Sequence, residues 1–346
     1  VIDENSAVPL APVEALRRIA YLLERAHEPT YRVRAFRRGA ETVEGLDPEE
    51  LRRRSAGGTL TELAGIGDVI ARVITEALND EVPVYLRRLE ATADEPLAAG
   101  GEKLLAALRG DLHTHSDWSD GGSPIEEMAR AGLALGHEYM VLTDHSPRLK
   151  IANGLTPERL RRQLEVVAEV NERLAPFRLL TGIEVDILED GTLDQEPELL
   201  AELDVVVASV HSKLRMEADH MTARMVRAIS NPHVDVLGHC TGRIVKGKGR
   251  PESEFDAEIV FAACERFGVA VEVNSRPERL DPPKRLLRLA VEAGCKISID
   301  TDAHAPGQLE WQPFGCVRAA ACGVDPATVV NTWPLAQLLE WAGRAQ

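Results

Sequence analysis

No run in this 346-residue chain approaches the roughly 20 apolar residues that a membrane span needs. Its first residues also lack the basic and apolar regions of a secretory signal, so a cytoplasmic protein with no membrane partner is expected. Cysteine is scarce. The five present, Cys240, Cys264, Cys295, Cys316 and Cys322, are an odd number without a CxxC pair, which indicates neither a disulfide framework nor a thiolate zinc knuckle. Cys240, beside His239, reads as a small buried hydrophobe or as a nucleophile with no base dedicated to it. Positive charge is short as well: 40 Lys and Arg against 56 Asp and Glu leave a formal net charge of −16. That argues against a protein that coats nucleic acid electrostatically, and leaves enzymes of nucleic-acid ends open.

Apolar residues are plentiful. With 44% hydrophobic content and more length than a usual single domain, the chain is expected to hold one large domain and a small one. Residues 12–97 carry apolar positions at helical spacing, predicting helices over 13–26, 32–43, 48–55, 67–78 and 82–89. From Gly110 onward short apolar runs alternate with amphipathic stretches, the pattern of a parallel sheet built from βα units. Strands are predicted over 110–112, 139–143, 178–183, 205–210, 234–238, 269–273 and 296–299. Helices such as 124–135, 157–174, 218–230, 258–267 and 283–293 separate most of them. The pattern changes in residues 93–101, around Pro96 and the Gly100-Gly101 pair. The expected division is a helical domain over 1–97, a linker over 98–107 and an α/β domain over 108–346. About seven βα units close most simply into a barrel, with all strand C-termini on the face where such enzymes keep their chemistry.

Those strand ends carry the chemical signal. The first run leads into DLHTHSDWSDG (residues 111–121) and the last into ISIDTDAH (residues 297–304). Between them His113, His115, Asp120, His145, Glu184, His211, His239, Asp302 and His304 all follow strands, and they include six of the ten histidines. Each has a bland reading by itself. His113 and His115, two apart on one strand face, can be surface polarity; Asp120 can be a turn aspartate before Gly121; His145 can cap a loop. Glu184 in GIEVDI is different, because a carboxylate there is costly to bury without a cation, and it is the natural bridge between two ions. Jointly, imidazole and carboxylate are the ligands of Zn, Mn and Fe. His27, His137, His220 and His233 lie away from strand ends and read as surface or packing residues. Asn274, at the sixth strand, is either a hydrogen-bonding support for a ligand or a turn residue.

Residues 242–248 read GRIVKGK, near to a phosphate-binding loop, but Gly249 stands where Ser or Thr is needed and Pro251 follows. The loop still brings Arg243, Lys246, Lys248 and Arg250 near His239, and Lys213 follows His211. Cations beside a metal cluster in an acidic chain suit a phosphate-bearing substrate, the alternative being a solvated basic loop.

The ordered segments DLHTHSDWSDG, LTDHSPRLKIANGL, TGIEVDIL, SVHSK, GHCTGR, EVNSRPERLD and SIDTDAH resemble the polymerase and histidinol phosphatase (PHP) domain, above all the version in bacterial family X DNA polymerases. The resemblance runs from about residue 108 to the end. It implies a distorted seven-stranded βα barrel with three divalent ions, Mn or Zn, with Fe as a further candidate. One ion would be held by His113, His115, Glu184 and Asp302, a second by Glu184, His211 and His239, and a third by Asp120, His145 and His304. PTYRVRAFRRGAETV (residues 29–43) and LAGIGDVIA (residues 63–71) resemble the helical lyase-like domain of the same polymerases. In the latter segment Gly65 and Gly67 form a helix-hairpin-helix signature able to contact a DNA phosphate, or simply a helical corner.

Two departures qualify the resemblance. Residues 97–108 leave no room for a polymerase palm, so nucleotidyl transfer is not expected. Residues 1–100 contain no lysine, and Val73 stands where the reactive amine of a lyase is expected. The reading is then a metal-dependent phosphoesterase in which metal-bound hydroxide attacks phosphorus while Arg243 or Lys213 neutralises the phosphoryl oxygens. DNA ends are the expected substrate, for a 3′–5′ exonuclease or 3′-phosphatase in repair. The alternative is a small-molecule phosphatase of the histidinol-phosphatase type. A binding factor with a structural metal fits less well, because structural zinc sites are closed four-ligand cages.

Overall fold

The computed structural model describes residues 9–343 of a chain that divides into two compact units, Val1–Pro96 and Leu97–Gln346. In the first, α1 (Pro12–Arg25), α2 (Thr30–Glu44), α3 (Pro48–Ala56), α4 (Asp68–Leu78) and α5 (Val84–Glu90) lie within two residues of the predicted helix limits. Leu16, Ile19 and Leu23 share one face of α1 and pack with Phe36, Val43, Ile70 and Ile74 in one core. Glycine is required at the α2–α4 crossing, where a Cβ on Gly39 would lie 2.9 Å from Ile70 Cγ2. Asp47 caps α3 by accepting from the N–H groups of Glu49 and Glu50. Glu24, almost fully buried, pairs with Arg37 at 2.7 Å. Val73, at the position where a lyase amine is expected, belongs to this core.

The second unit is a near-closed barrel of seven parallel strands in the order β1 to β7. These are β1 (Gly110–Thr114), β2 (Tyr139–Leu142), β3 (Arg178–Asp186), β4 (Val205–Ser209), β5 (Val236–Leu237), β6 (Ala270–Asn274) and β7 (Ile297–Asp300). Its helices are α6 (Glu102–Ala107), α7 (Ile125–Ala134), α8 (Pro157–Leu174), α9 (Pro197–Leu200), α10 (Ala218–Ile229), α11 (Ala257–Phe267), α12 (Lys284–Glu292), α13 (Gln312–Ala321) and α14 (Leu335–Trp341). Residues 102–107, read from sequence as linker, thus fold as α6, with Leu104 buried in the barrel's core cluster. Strands such as Val205–Ser209 are buried along their whole length, as parallel strands covered on both faces must be. Neighbouring strands come too close for side chains at two glycines. A Cβ on Gly110 would lie 2.3 Å from the Tyr139 carbonyl oxygen, and one on Gly182 would lie 2.7 Å from that of Val205.

Three strands differ from expectation by two residues or more. β1 and β3 run on through Thr114 and Asp186, so that His113 and Glu184 stand inside the ladder rather than after it. β5 is only two residues long, and just ahead of it the Asp235 carboxylate accepts the N–H of Val206 at 2.8 Å. Between β1 and β7 the barrel is joined chiefly by side chains. Asp111 accepts the Thr301 hydroxyl at 2.5 Å, Asp300 accepts the Leu112 N–H at 2.9 Å, and the Asn331 amide donates to the Ile299 carbonyl at 2.8 Å. Among the described residues no helix is long and apolar enough to cross a membrane.

Candidate metal centre

All nine residues singled out in the sequence meet at the C-terminal rim of the barrel. Strand periodicity turns His113 and His115 to one side, and β3 delivers Glu184 between them and the histidines that follow β4 and β5. Five imidazoles face the two oxygens of Glu184. Oε2 lies 3.4 Å from His113 Nε2, 3.7 Å from His115 Nε2 and 2.8 Å from His145 Nδ1. Oε1 lies 3.2 Å from His211 Nε2 and 2.8 Å from His239 Nε2. Asp120 Oδ1 is 3.4 Å from His145 Nε2 and 3.3 Å from His304 Nε2, while Asp302 Oδ1 is 3.5 Å from both His115 and His304. Asp302 adopts a left-handed backbone at φ 53° to reach this position.

Three groups have donor atoms within 4.8 Å of one another: His115, Asp120, His145 and His304; His113, His115 and Glu184; and His145, Glu184 and His211. His239 and Asp302 flank these groups through the contacts just given. His145 joins two of them, with one ring nitrogen on Glu184 and the other on Asp120. Such a set is suited to several divalent ions. His113 Nε2, both nitrogens of His115 and of His211, His145 Nδ1, His239 Nδ1 and both oxygens of Glu184 are buried without a hydrogen-bond partner. Orphaned polar atoms are rare in a folded interior, and here His113 Nε2, His115 Nε2, His145 Nδ1 and His211 Nε2 all face the two Glu184 oxygens. The residues present therefore fit a cluster of cations.

Electrostatics give the same picture. Burial by itself would push the Glu184 carboxyl up, but His211, His113 and His145 hold it well below the usual carboxylate range. Burial disfavours a charged His145, yet Glu184 and then Asp120 lift it to about 10. His113 is likewise held well above its ordinary value, against burial, by Glu272 and Glu184. Burial drives His115 well below it, reinforced by His304 and His145. Against burial, Arg279 and then His115 keep Asp302 ionised.

Three residues at the centre were not picked out from sequence. Glu272, fully buried on β6, accepts from His113 Nδ1 at 2.6 Å and from the His239 N–H at 2.5 Å, which fixes the ring whose Nε2 faces Glu184. Its signal was there: a carboxylate inside the apolar run VEV, the same sign that marked Glu184. Asn274 proves to be a supporting group, donating to both Glu272 and Asp302 at 3.2 Å. Arg279 Nε lies 3.1 Å from Asp302 Oδ2, and its Nη1 is buried without a partner. Arg276 Nη1 lies 3.0 Å from the Asp302 carbonyl and 3.0 Å from His304 Nδ1. Both arginines sit in a loop directly after a strand.

The other predicted contacts are placed differently. Arg243 donates to the carbonyls of Arg279, at 3.1 Å, and Leu280, and lies 3.4 Å from Glu252, so its guanidinium braces the segment carrying Arg279 and meets none of the nine residues. Lys213 is exposed, with a left-handed backbone at φ 53°, two residues past His211. In the first unit Gly65 has φ 82°, and a Cβ there would meet Arg38; Gly67 is the N-cap of α4. Cys240 is buried, and burial with Asp281 nearby holds its thiol well above the ordinary value. His27, His137, His220 and His233 take no part in the cluster.

Comparison with known proteins agrees with this geometry. The PHP domain family matches residues 111–276, and a helix-hairpin-helix domain matches residues 11–82. A probable phosphatase of Thermoanaerobacter sp. (strain X514) is 32% identical over 236 residues, which cover 64% of this chain and 89% of that protein. The chain belongs to the PHP domain family. With its helix-hairpin-helix region it is homologous to the corresponding parts of family X DNA polymerases. The DNA polymerase/3′-5′ exonuclease PolX of Bacillus subtilis (strain 168) is 40% identical over 227 residues, which cover 66% of this chain but 40% of the length of PolX. A solved structure of histidinol phosphate phosphatase from Lactococcus lactis subsp. lactis matches with a TM-score of 0.42 and 16% identity, covering 61% of this chain and 93% of the other. A multi-ion ligand cluster in a PHP barrel makes the chain a metal-dependent phosphoesterase.

Proposed function

We propose that this PHP protein removes phosphate from small phosphorylated molecules, as a phosphatase of the histidinol-phosphatase type. One observation carries the reading: the barrel aligns with 89% of a relative called a probable phosphatase, against 40% of the polymerase. The acidic charge of the chain supports it. This reverses the order expected from sequence, where DNA ends came first.

Ions held by the nine residues, Mn or Zn with Fe as a further candidate, would supply the positive charge that offsets a phosphoryl group and acidifies water. We assign His113, His115 and Asp302 to the Oε2 side of Glu184, and His211 and His239 to its Oε1 side. Asp120, His145 and His304 form the third position. Arg279, with a free Nη1, and Arg276 neutralise the phosphoryl oxygens; Lys213 reaches the same group from the loop after His211; Arg243 braces Arg279. Glu272 keeps the His113 ring in register.

The helix-hairpin-helix match and the polymerase relative favour a second reading, in which the chain acts on DNA ends as an exonuclease or 3′-phosphatase in repair, with Gly65 and Gly67 contacting a phosphate. Both substrates occur in the cytoplasm, where we place the enzyme. The test is turnover by the Mn-loaded chain of histidinol phosphate and p-nitrophenyl phosphate beside single-stranded, duplex and 3′-phosphorylated oligonucleotides. The phosphatase reading expects the highest kcat/KM on a small monoester; higher values on an oligonucleotide would transfer the assignment to DNA ends.

A further inference from the structure

The loop between β5 and α11, with the first turns of α10 and α12, lines an open cavity of about 720 Å³ beside the metal centre. None of the nine metal-facing residues lines it. Its walls include Arg243, Arg250, Arg285, Glu252, Ser253 and Glu254. It shares a wall with the metal centre, since Arg279 extends its side chain to Asp302 and offers its carbonyl to Arg243 of the cavity.

Three guanidinium groups around one cavity are unusual in a chain with a formal charge of −16. Glu252 accounts for part of this charge, lying 3.4 Å from Arg243 and pairing with Arg285, while Glu254 is exposed. Arg250 is left over: its Nε donates to the Gly242 carbonyl at 2.6 Å, and its two Nη groups have no partner among the described residues. Ser253 points to the same conclusion independently. It is 7% exposed, and its buried Oγ has no hydrogen-bond partner. The first turns of α10 and α12 open on the cavity at Ala218 and Arg285, and neither helix has a side-chain cap. Uncapped N–H groups, the positive ends of two helices, a free guanidinium and an orphaned hydroxyl together satisfy an oxyanion.

We infer that this cavity is a second oxyanion site that binds a phosphate group other than the one being hydrolysed. The inference rests on the phosphatase reading of the metal centre and specifies its substrate class: molecules with two phosphate groups, one at the ions and one between Arg250, Ser253 and the two helix ends. Both sets of residues follow strand C-termini, and Arg279 touches each, its side chain on Asp302 and its carbonyl on Arg243, which is the basis for assigning the two phosphates to one molecule.

Equilibrium dialysis of the full Mn-loaded chain against radiolabelled orthophosphate tests the site without turnover. Wild type is expected to bind two phosphates per chain, and Arg250→Gln and Ser253→Ala each to bind one; Ser253→Ala removes only a hydroxyl that contacts nothing. A single phosphate in wild type, or an unchanged count in both variants, overturns the proposal. A kinetic arm compares glucose 1,6-bisphosphate with glucose 6-phosphate. If the second phosphate belongs to the substrate, either variant lowers the preference in kcat/KM for the bisphosphate about tenfold. If the count falls while the preference stays, free phosphate is the ligand. Two bound phosphates without hydrolysis of any monoester would refute the phosphatase reading and leave the second site standing.

Discussion

Glu184 divides the centre in two, with different histidines on each of its oxygens. Replacing it by Gln keeps the shape and removes the charge. Glu184→Gln is expected to lower both bound metal and kcat/KM by more than about 100-fold, the upper end of what loss of a supporting residue causes. Elemental analysis read beside activity checks this. Glu272→Ala, which frees the His113 ring, should cost about 10- to 100-fold in metal affinity with the fold retained, and activity should return when excess Mn is supplied. A pH effect is expected outside the centre. His137 Nε2 is buried without a partner, and burial pushes its imidazole down to about 4 from 6.5. Between these values the unfolded chain takes up a proton that the folded chain refuses. Its contribution to stability is therefore complete above 6.5, falls as pH drops through the window, and levels off below about 4. Urea midpoints should show His137→Asn losing on the order of 1–3 kcal/mol less than wild type across that window. At this scale the sequence was legible where a charged or imidazole side chain interrupts an apolar run, as at Glu184 and His211. It was silent where only direction matters: Arg243 and Arg279 sit in similar loops, and nothing in their spacing tells which guanidinium turns toward Asp302.

The seven strands were legible as elements because parallel strands covered on both faces leave short, continuous apolar runs. Their ends were less so. β1 and β3 extend through residues whose polarity reads as loop, since ladder bonds tolerate a buried histidine or glutamate once other donors face it. α6 was missed because its six residues are too few to display a helical period. The glycines within strands carry a prediction here. In Gly182→Ala the added methyl meets Val141 Cγ1 at 2.5 Å and the Val205 carbonyl oxygen at 2.7 Å, so β3 must part from a neighbour. A loss of about 1–3 kcal/mol is expected by denaturant titration, with activity falling in parallel because Glu184 lies two residues on.

For the whole molecule, the stability of the barrel and the loading of its ions are linked. A ligand bound only by the folded state raises its melting temperature. Exhaustive chelation is expected to abolish hydrolysis and lower the thermal midpoint, and Mn should restore both; calorimetry and a monoester assay on the same sample check it. A chelated protein with full activity would refute the metal-dependent reading. The join between β1 and β7 has a further consequence. His113 and His115 stand on one side of that seam, and Asp302 and His304 on the other, fastened by the Asp111–Thr301 and Asp300–Leu112 bonds. During synthesis the first donors leave the ribosome nearly two hundred residues before the last, so the full set of nine cannot meet until the final strand docks. A polypeptide that ends before β7 lacks Asp302 and His304, and with them the donor group completed by His115, Asp120 and His145.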